Sequence, residues 1–451
     1  MRTAMNGNRL RQEDGERMRK FAGSERGVAL ITALLLLVLL GGISLVAMNY
    51  SSMDISRNKK YVQSREAFYM AEAGIQKALY LLNYDGSENS PGYASNGMTA
   101  VINSLVTDNA SDLTNVSFNG GTYDVTVQDN DDGDGNTAAD VDNTVILLAT
   151  GTRNDVTVTI RALIGRTLYK AKHAITTQGN LGGAGSFTVS GSNGSVHSNG
   201  SVDISGSANT ITQGATATFV CEGEGCVAGG VAPESIPIVS PSAFASYANY
   251  KLKTDGTIYE VATGITYSQA NPGADWIGSD AGSTNGQAKF GAWSYSSGGG
   301  GYWKVNSATQ AANGMYYSED DVKVQNTPSG WETTILSEGY IDFSAGGDIV
   351  NYKNASHTAD IQNLFLVAKT DIEFSGNPSN VIEGIIACQE QLSVSGTVSL
   401  QGYVVSADIA DAENLVSPES TISGNMSIEY NGDTVAPFLS NKVVVMDWKE
   451  I

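Results

Sequence analysis

The order of apolar and polar positions divides the chain into three regimes. Residues 28–48 carry no charge; Arg26 stands just before the run and Asp54 is the first charge after it. As a helix at ~1.5 Å per residue this run is about 31 Å long, enough to cross a ~30 Å hydrocarbon core. No small-residue signal-peptidase site follows it, which predicts a retained segment. Beyond it Ala67, Met70, Ala71, Gly74, Ile75, Ala78, Leu79 and Leu82 recur at three- and four-residue steps. That spacing predicts one buried helical face ending near Asn83-Tyr84-Asp85-Gly86, with the second half of the helix lying on a sheet. Alternation over residues 122–127 and 156–160, and a continuous apolar run over 145–149, supply strands for that sheet.

The third regime begins near Lys170, where Gly, Ser, Thr and Asn surround single aliphatic residues. Residues 365–376 align with 385–396 at a shift of 20, and residues 404–407 repeat the strand at Ile385 after a further 19. Residues 188–191 and 203–206 form a looser repeat, 15 apart. Short aliphatic strands recurring near 20 residues with Ser-Gly corners predict a parallel β-solenoid whose rungs share one core. Residues 240–339 interrupt the repeat, as an insertion or as irregular rungs. They hold Trp276, Trp293, Trp303 and Trp331 of the five tryptophans. The exposed reading of Trp276, Trp293 and Trp303 is a glycan-binding or adhesive surface; a small core for a Gly-rich region is the commoner use and the one expected.

Two segments carry a resemblance. Arg26-Gly27-Val28-Ala29-Leu30-Ile31, followed by Glu66-Ala67-Phe68-Tyr69-Met70-Ala71-Glu72-Ala73-Gly74-Ile75, resembles the N-terminal region of PilX-type minor pilins over residues 27–82. The resemblance implies a prepilin leader, cut between Gly27 and Val28 by a prepilin peptidase that methylates the new N-terminus. Residues 1–27 are long for such a leader, whereas a start at Met18 gives one of ten residues. Major pilins carry Glu at the fifth position after the cut, where this chain has Thr32; minor, tip-located subunits commonly lack it.

The implied fold is α+β. A long N-terminal, partly transmembrane helix packs on an antiparallel pilin-like sheet, and a β-rich region with a parallel β-solenoid follows. The expected divisions are 1–27 (leader), 28–48 (transmembrane and assembly helix), 49–169 (pilin-like unit), 170–239 (start of the solenoid), 240–339 (aromatic-containing insertion) and 340–451 (rungs and C-terminal strands).

Charge narrows the function. The chain carries −21, and residues 1–26 are net positive, with seven basic residues against four acidic ones. A basic flank before the helix and an acidic bulk after it place the bulk outside the cytoplasm. A surface this acidic argues against direct nucleic-acid binding, which needs clustered Lys and Arg. His173, His197 and His357 lie far apart in sequence and form no triad pattern with a nucleophile elbow, and the candidate rungs carry no basic cluster; an enzyme is not expected.

One ligand-site candidate is an acidic loop. Asn130, Asp132 and Asp134 fall at alternate positions before Gly135, like the start of a calcium loop, because converging carboxylates repel unless a hard cation neutralises them. The first ligand is Asn and Val141 stands where a bidentate Glu belongs, so Asp140 or Asp142 would have to substitute. The alternatives are a weak Ca²⁺ site or a solvated hairpin loop; no other cofactor is expected. Cys221 and Cys226 enclose Glu-Gly-Glu-Gly, as a small disulfide or as two thiols at a turn, and Cys388 reads as a buried hydrophobe.

The expected function is therefore structural: a minor pilin that helps to initiate or cap a type IV pilus or related filament. It would wait in the inner membrane as a single-pass precursor and reach the pilus or cell surface after assembly. Residues 28–48 would drive packing, with Thr32 inside the apolar run, Gly41 and Gly42 allowing close approach, and Ala71, Glu72 and Gly74 marking the helix beyond it. By the resemblance, its partners would be other minor pilins, the major pilin, the inner-membrane platform protein, the prepilin peptidase and a tip adhesin. The alternatives are a membrane-anchored solenoid adhesin outside any filament and a type II secretion minor pseudopilin.

Overall fold

A computed structural model describes the chain outside residues 1–6, 85–97, 131, 132, 134, 141, 207–208, 270–289, 307–310, 328–329, 409–419 and 433, and outside the side chains of residues 7–26 and 306. One helix, α1 (Gly7–Asn83), dominates the N-terminal part. No proline interrupts it, and the Leu- and Ala-rich stretch supplies strong helix formers. Its two halves meet different surroundings. Side chains from Val28 to Val62 are exposed, whereas Ala67, Met70, Ala71, Ile75, Ala78, Leu81 and Leu82 are buried.

The buried half lies on a five-stranded antiparallel sheet in the order β1 (Val116–Phe118), β2 (Gly121–Asp129), β3 (Thr144–Arg153), β4 (Val156–Leu168) and β5 (Leu439–Glu450). Arg153 pairs with Val156 across a two-residue turn, and Asn154 accepts the left-handed φ of 52° such turns require. Small residues set the helix–sheet distance. A Cβ added at Gly151 would stand 2.5 Å from the Ala71 backbone nitrogen and 2.8 Å from the Met70 Cβ. Helices α2 (Met98–Asp108) and α3 (Ala110–Leu113) add Met98, Val101, Leu105 and Leu113 to the same core.

The remainder is built from short strands in parallel ladders. Ile341–Phe343, Ile372–Phe374 and Leu392–Val394 stack in one sheet, with Phe343 on Phe374 at 4.6 Å and Val394 continuing the column. Leu364–Ala368, Ile382–Cys388 and Thr397–Ser406 stack in a second. Leu366 pairs with Ile386 and Ile372 with Leu392, the register read from the shift of 20.

Two other expected repeats are corrected. Ile385 pairs with Tyr403 instead of Val404, a shift of 18. Residues 188–189 pair with 210–211, and 202–204 with 181–183, so the 15-residue repeat relates strands in different ladders. Tyr403, Val404 and Val405 are all buried, so no inside–outside alternation marks the register there.

The ladders do not follow chain order. Ile175–Thr177 pairs with Val196–Ser198 on one side and with Thr397–Ser406 on the other. The chain therefore enters in the middle of the stack, winds outward to Cys226–Ala228, crosses to the far end and winds back to close on its own first strand. Ile236, Val239 and Phe244 on the crossing segment, and Ala436 and Phe438 on the return, share one core with the ladders. Within residues 240–339, strands Gly314–Ser318, Asp321–Asn326 and Trp331–Ser337 pair in parallel with their neighbours in these same ladders. Trp293, Trp303 and Trp331 are fully buried there, and Trp276 lies outside the described residues.

Candidate functional site

The unpartnered half of α1 is the first candidate. It is long and apolar enough to cross a membrane, and none of its most apolar stretch is buried within the chain. Leu30, Leu37 and Met48 are each more than 70 % exposed, which in water would be a large apolar liability. Thr32 Oγ1 donates 3.0 Å bonds to the Val28 and Ala29 carbonyls, so the hydroxyl is satisfied by its own helix. Gly27, Gly41 and Gly42 have nothing within 4 Å of an added Cβ, so no contact inside this chain requires glycine there. Farther along, Ala71 and Gly74 are buried against the sheet and Glu72 is exposed. Glu66 accepts a 2.8 Å bond from Arg153 Nε, pinning the helix where it leaves the exposed half.

The acidic loop joins β2 to β3. Asn130 Nδ2 donates to Asp142 Oδ2 at 3.0 Å, and the Asp140 carboxylate accepts from the backbone of Asn143 (3.1 Å) and Thr144 (2.8 Å), capping the start of β3. Burial raises the Asp140 pKa, and those backbone bonds oppose the shift. Asp132 and Asp134 lie outside the described residues. Among the described residues no group of three His, Cys, Asp or Glu is placed to hold a metal ion. Arg166 beside this loop is pushed down to about 10, chiefly by burial, with Asp140 opposing.

Cys221 and Cys226 form a disulfide at the outer end of the stack, with their Cα atoms 5.7 Å apart. Cys388 is a free, fully buried thiol whose pKa burial raises.

Two residues far apart in sequence come together. The rings of His173 and His197 stack at 5.2 Å and 22°. His173 Nδ1 shares a 2.7 Å bond with Ser195 Oγ, and His197 bonds Thr216 Oγ1 (2.9 Å) and Asn199 Oδ1 (3.0 Å). Burial lowers both pKa values, that of His173 to about 4 with His197 adding to the effect, so both rings are neutral at pH 7. Sequence spacing concealed the pair because only the ladder that aligns Thr176 with His197 brings them together.

No protein-family model matches the chain, and none of the curated proteins matches it. Among solved structures, the competence-associated pilin ComZ from Thermus thermophilus is similar at 14 % identity and a TM-score of 0.30, over 86 % of this chain and 97 % of that one. At that TM-score the likeness does not establish a shared fold.

Proposed function

We propose that this chain is a minor pilin of the PilX type, made as a single-pass inner-membrane precursor and built into a type IV pilus or related filament. The observation that carries the reading is the division of α1. One half is buried on an antiparallel sheet, and the other is exposed, apolar and continuous with it. Such a helix has a partner at every stage: lipid before assembly, and the helices of neighbouring subunits afterwards. The basic flank, Gly27 before the apolar run and the residues 66–75 motif support processing at Gly27, and Thr32 suits a minor subunit. We read the parallel ladders as the rungs of a β-solenoid displayed by that subunit, and its partners as other minor pilins, the major pilin and the platform protein. Nothing in this role requires chemistry on a substrate.

The test is N-terminal mass spectrometry of the protein from native cells, with and without Gly27→Ala, beside sheared surface filaments. A methylated N-terminus at Val28, lost in the variant, is expected. An intact leader with the protein confined to membranes in both strains overturns the proposal and leaves an anchored adhesin.

A further inference from the structure

Where β4 leaves the helix-bearing sheet and the chain enters the ladders, a cleft of about 400 Å³ opens between the two parts of the molecule. Its charge runs against that of the chain. Lys170, Lys172 and Lys442 line it against one carboxylate, Glu234, which is already paired with Lys172. Among the described residues neither Lys170 nor Lys442 forms a salt bridge, and the Lys442 ammonium stands 5.6 Å from the centre of the Tyr84 ring. Leu168, Tyr169 and Val444 supply apolar wall, and Thr176, Ser235 and Ser440 supply hydroxyls. His173 also lines the cleft; its Nε2 is buried and has no hydrogen-bond partner, and its ring backs onto His197.

The geometry points to a binding site for a small ligand with one anionic group, a phosphate or a carboxylate, on an apolar body. Its volume falls in the range of small-molecule sites, and two ammonium groups with no carboxylate partner among the described residues favour an anion over any cation on an acidic protein. Lysines act as point charges and do not choose between phosphate and carboxylate by fork geometry. A membrane lipid headgroup is not the source. Asn83, the last residue of α1, bonds both ways with the Val443 backbone beside the cleft, about 50 Å along the helix from Met48 at ~1.5 Å per residue. The ligand therefore comes from the medium in which the β-region sits.

The three histidines make a direct assay, because His173 lines the cleft, His197 stacks on it, and His357 packs on Tyr247 outside the lining. The full chain in detergent micelles, ¹³C-labelled at histidine, is titrated with phenyl phosphate, benzoate and neutral benzyl alcohol. Saturable shifts at His173 and His197 with an anionic probe, absent at His357, are expected. The Lys170→Gln/Lys442→Gln double variant should weaken binding at least ~5-fold, while Lys251→Gln on a distant strand leaves it unchanged. Tighter binding of phenyl phosphate or of benzoate assigns the anionic group. No saturable shift by 10 mM, equal binding of benzyl alcohol, equal shifts at His357, or an unchanged double variant each overturns the site. None of these outcomes depends on processing at Gly27, so this proposal and the pilin reading fail separately.

Discussion

Gly151→Ala tests whether the helix–sheet distance is set by backbone contact. The added methyl would lie 2.5 Å from the Ala71 nitrogen and 2.8 Å from the Met70 Cβ, with the Ala67 carbonyl oxygen also in contact. Backbone atoms cannot rotate away, so α1 must retreat by on the order of 1 Å to restore contacts near ~3.5 Å. A gap of that size forfeits a quarter to a half of each dispersion well. Met70 with Ala67 and Ala71 makes on the order of 80 atomic contacts of ~0.1–0.2 kcal/mol each, so losing about a third costs about 3–5 kcal/mol, at or above the upper end for overpacking.

Gly74→Ala is the control. Its methyl meets side chains first, Val125 Cγ2 at 2.9 Å and Tyr123 Cδ2 at 3.1 Å, so about 0.5 Å of adjustment restores contact where Gly151→Ala meets backbone. The ~1 kcal/mol that helix gains from Ala over Gly offsets the remaining crowding. Hydrogen exchange of the full chain in micelles reads both. Amides of β3 should lose several-hundred-fold protection in Gly151→Ala and change less than ~10-fold in Gly74→Ala. Protection within threefold of wild type in Gly151→Ala, or equal losses in the two variants, refutes the contact argument.

Two further outcomes follow from the ladders. The His173 pKa is lowered to about 4 in the folded chain from an ordinary 6.5, so the unfolded chain takes up the proton first as pH falls. The penalty for charging the ring in the fold is absent above pH 6.5 and grows between 6.5 and about 4; hydrogen exchange of residues 175–177 and 196–198 should loosen across that window, and less so in His173→Gln, where only the His197 ring, also lowered by burial, remains. Equal pH dependence in the two proteins would sink the assignment. Trp331 is fully buried, bonds the Ala312 carbonyl at 3.0 Å and meets Trp293 and Tyr316. Trp331→Ala should cost about 3–5 kcal/mol and expose the strands at 250–268 and 293–305 while residues 425–430 keep their protection; uniform loss along the stack would contradict a local core.

The helix was legible because its two signals are local: an uncharged apolar run, and Ala67 to Leu82 at helical spacing. Strands β2 to β4 were legible for the same reason. Strand β5 was not, because its partner β4 lies nearly 300 residues earlier and nothing in residues 439–450 names it. The shift of 20 read true where Phe374 and Val394 repeat one inward column. It slipped by one at Tyr403, where every position is buried and a register error moves no residue into water. The stacked histidines and the cleft beside them depend on the middle-entry winding of the chain, which no local pattern encodes. Asp140 was singled out for its charge, and in the fold that charge serves a backbone turn.

The chain enters the ladders after Leu168 and returns at Leu439, and Tyr169 N bonds the Phe438 carbonyl at 2.8 Å where the two strands pass. The whole β-region therefore hangs from the helix-bearing unit by two adjacent cords leaving from the same end. Tension applied to that region draws β4 and β5 in one direction, so the bonds between them carry little load. The load falls on β4 against β3, whose paired residues run from Thr144 with Gly165 to Arg153 with Val156 and resist sliding together instead of parting one at a time. An attachment of this kind is a shear joint. It can bear a drag or a pull on the β-region without peeling the sheet from its helix.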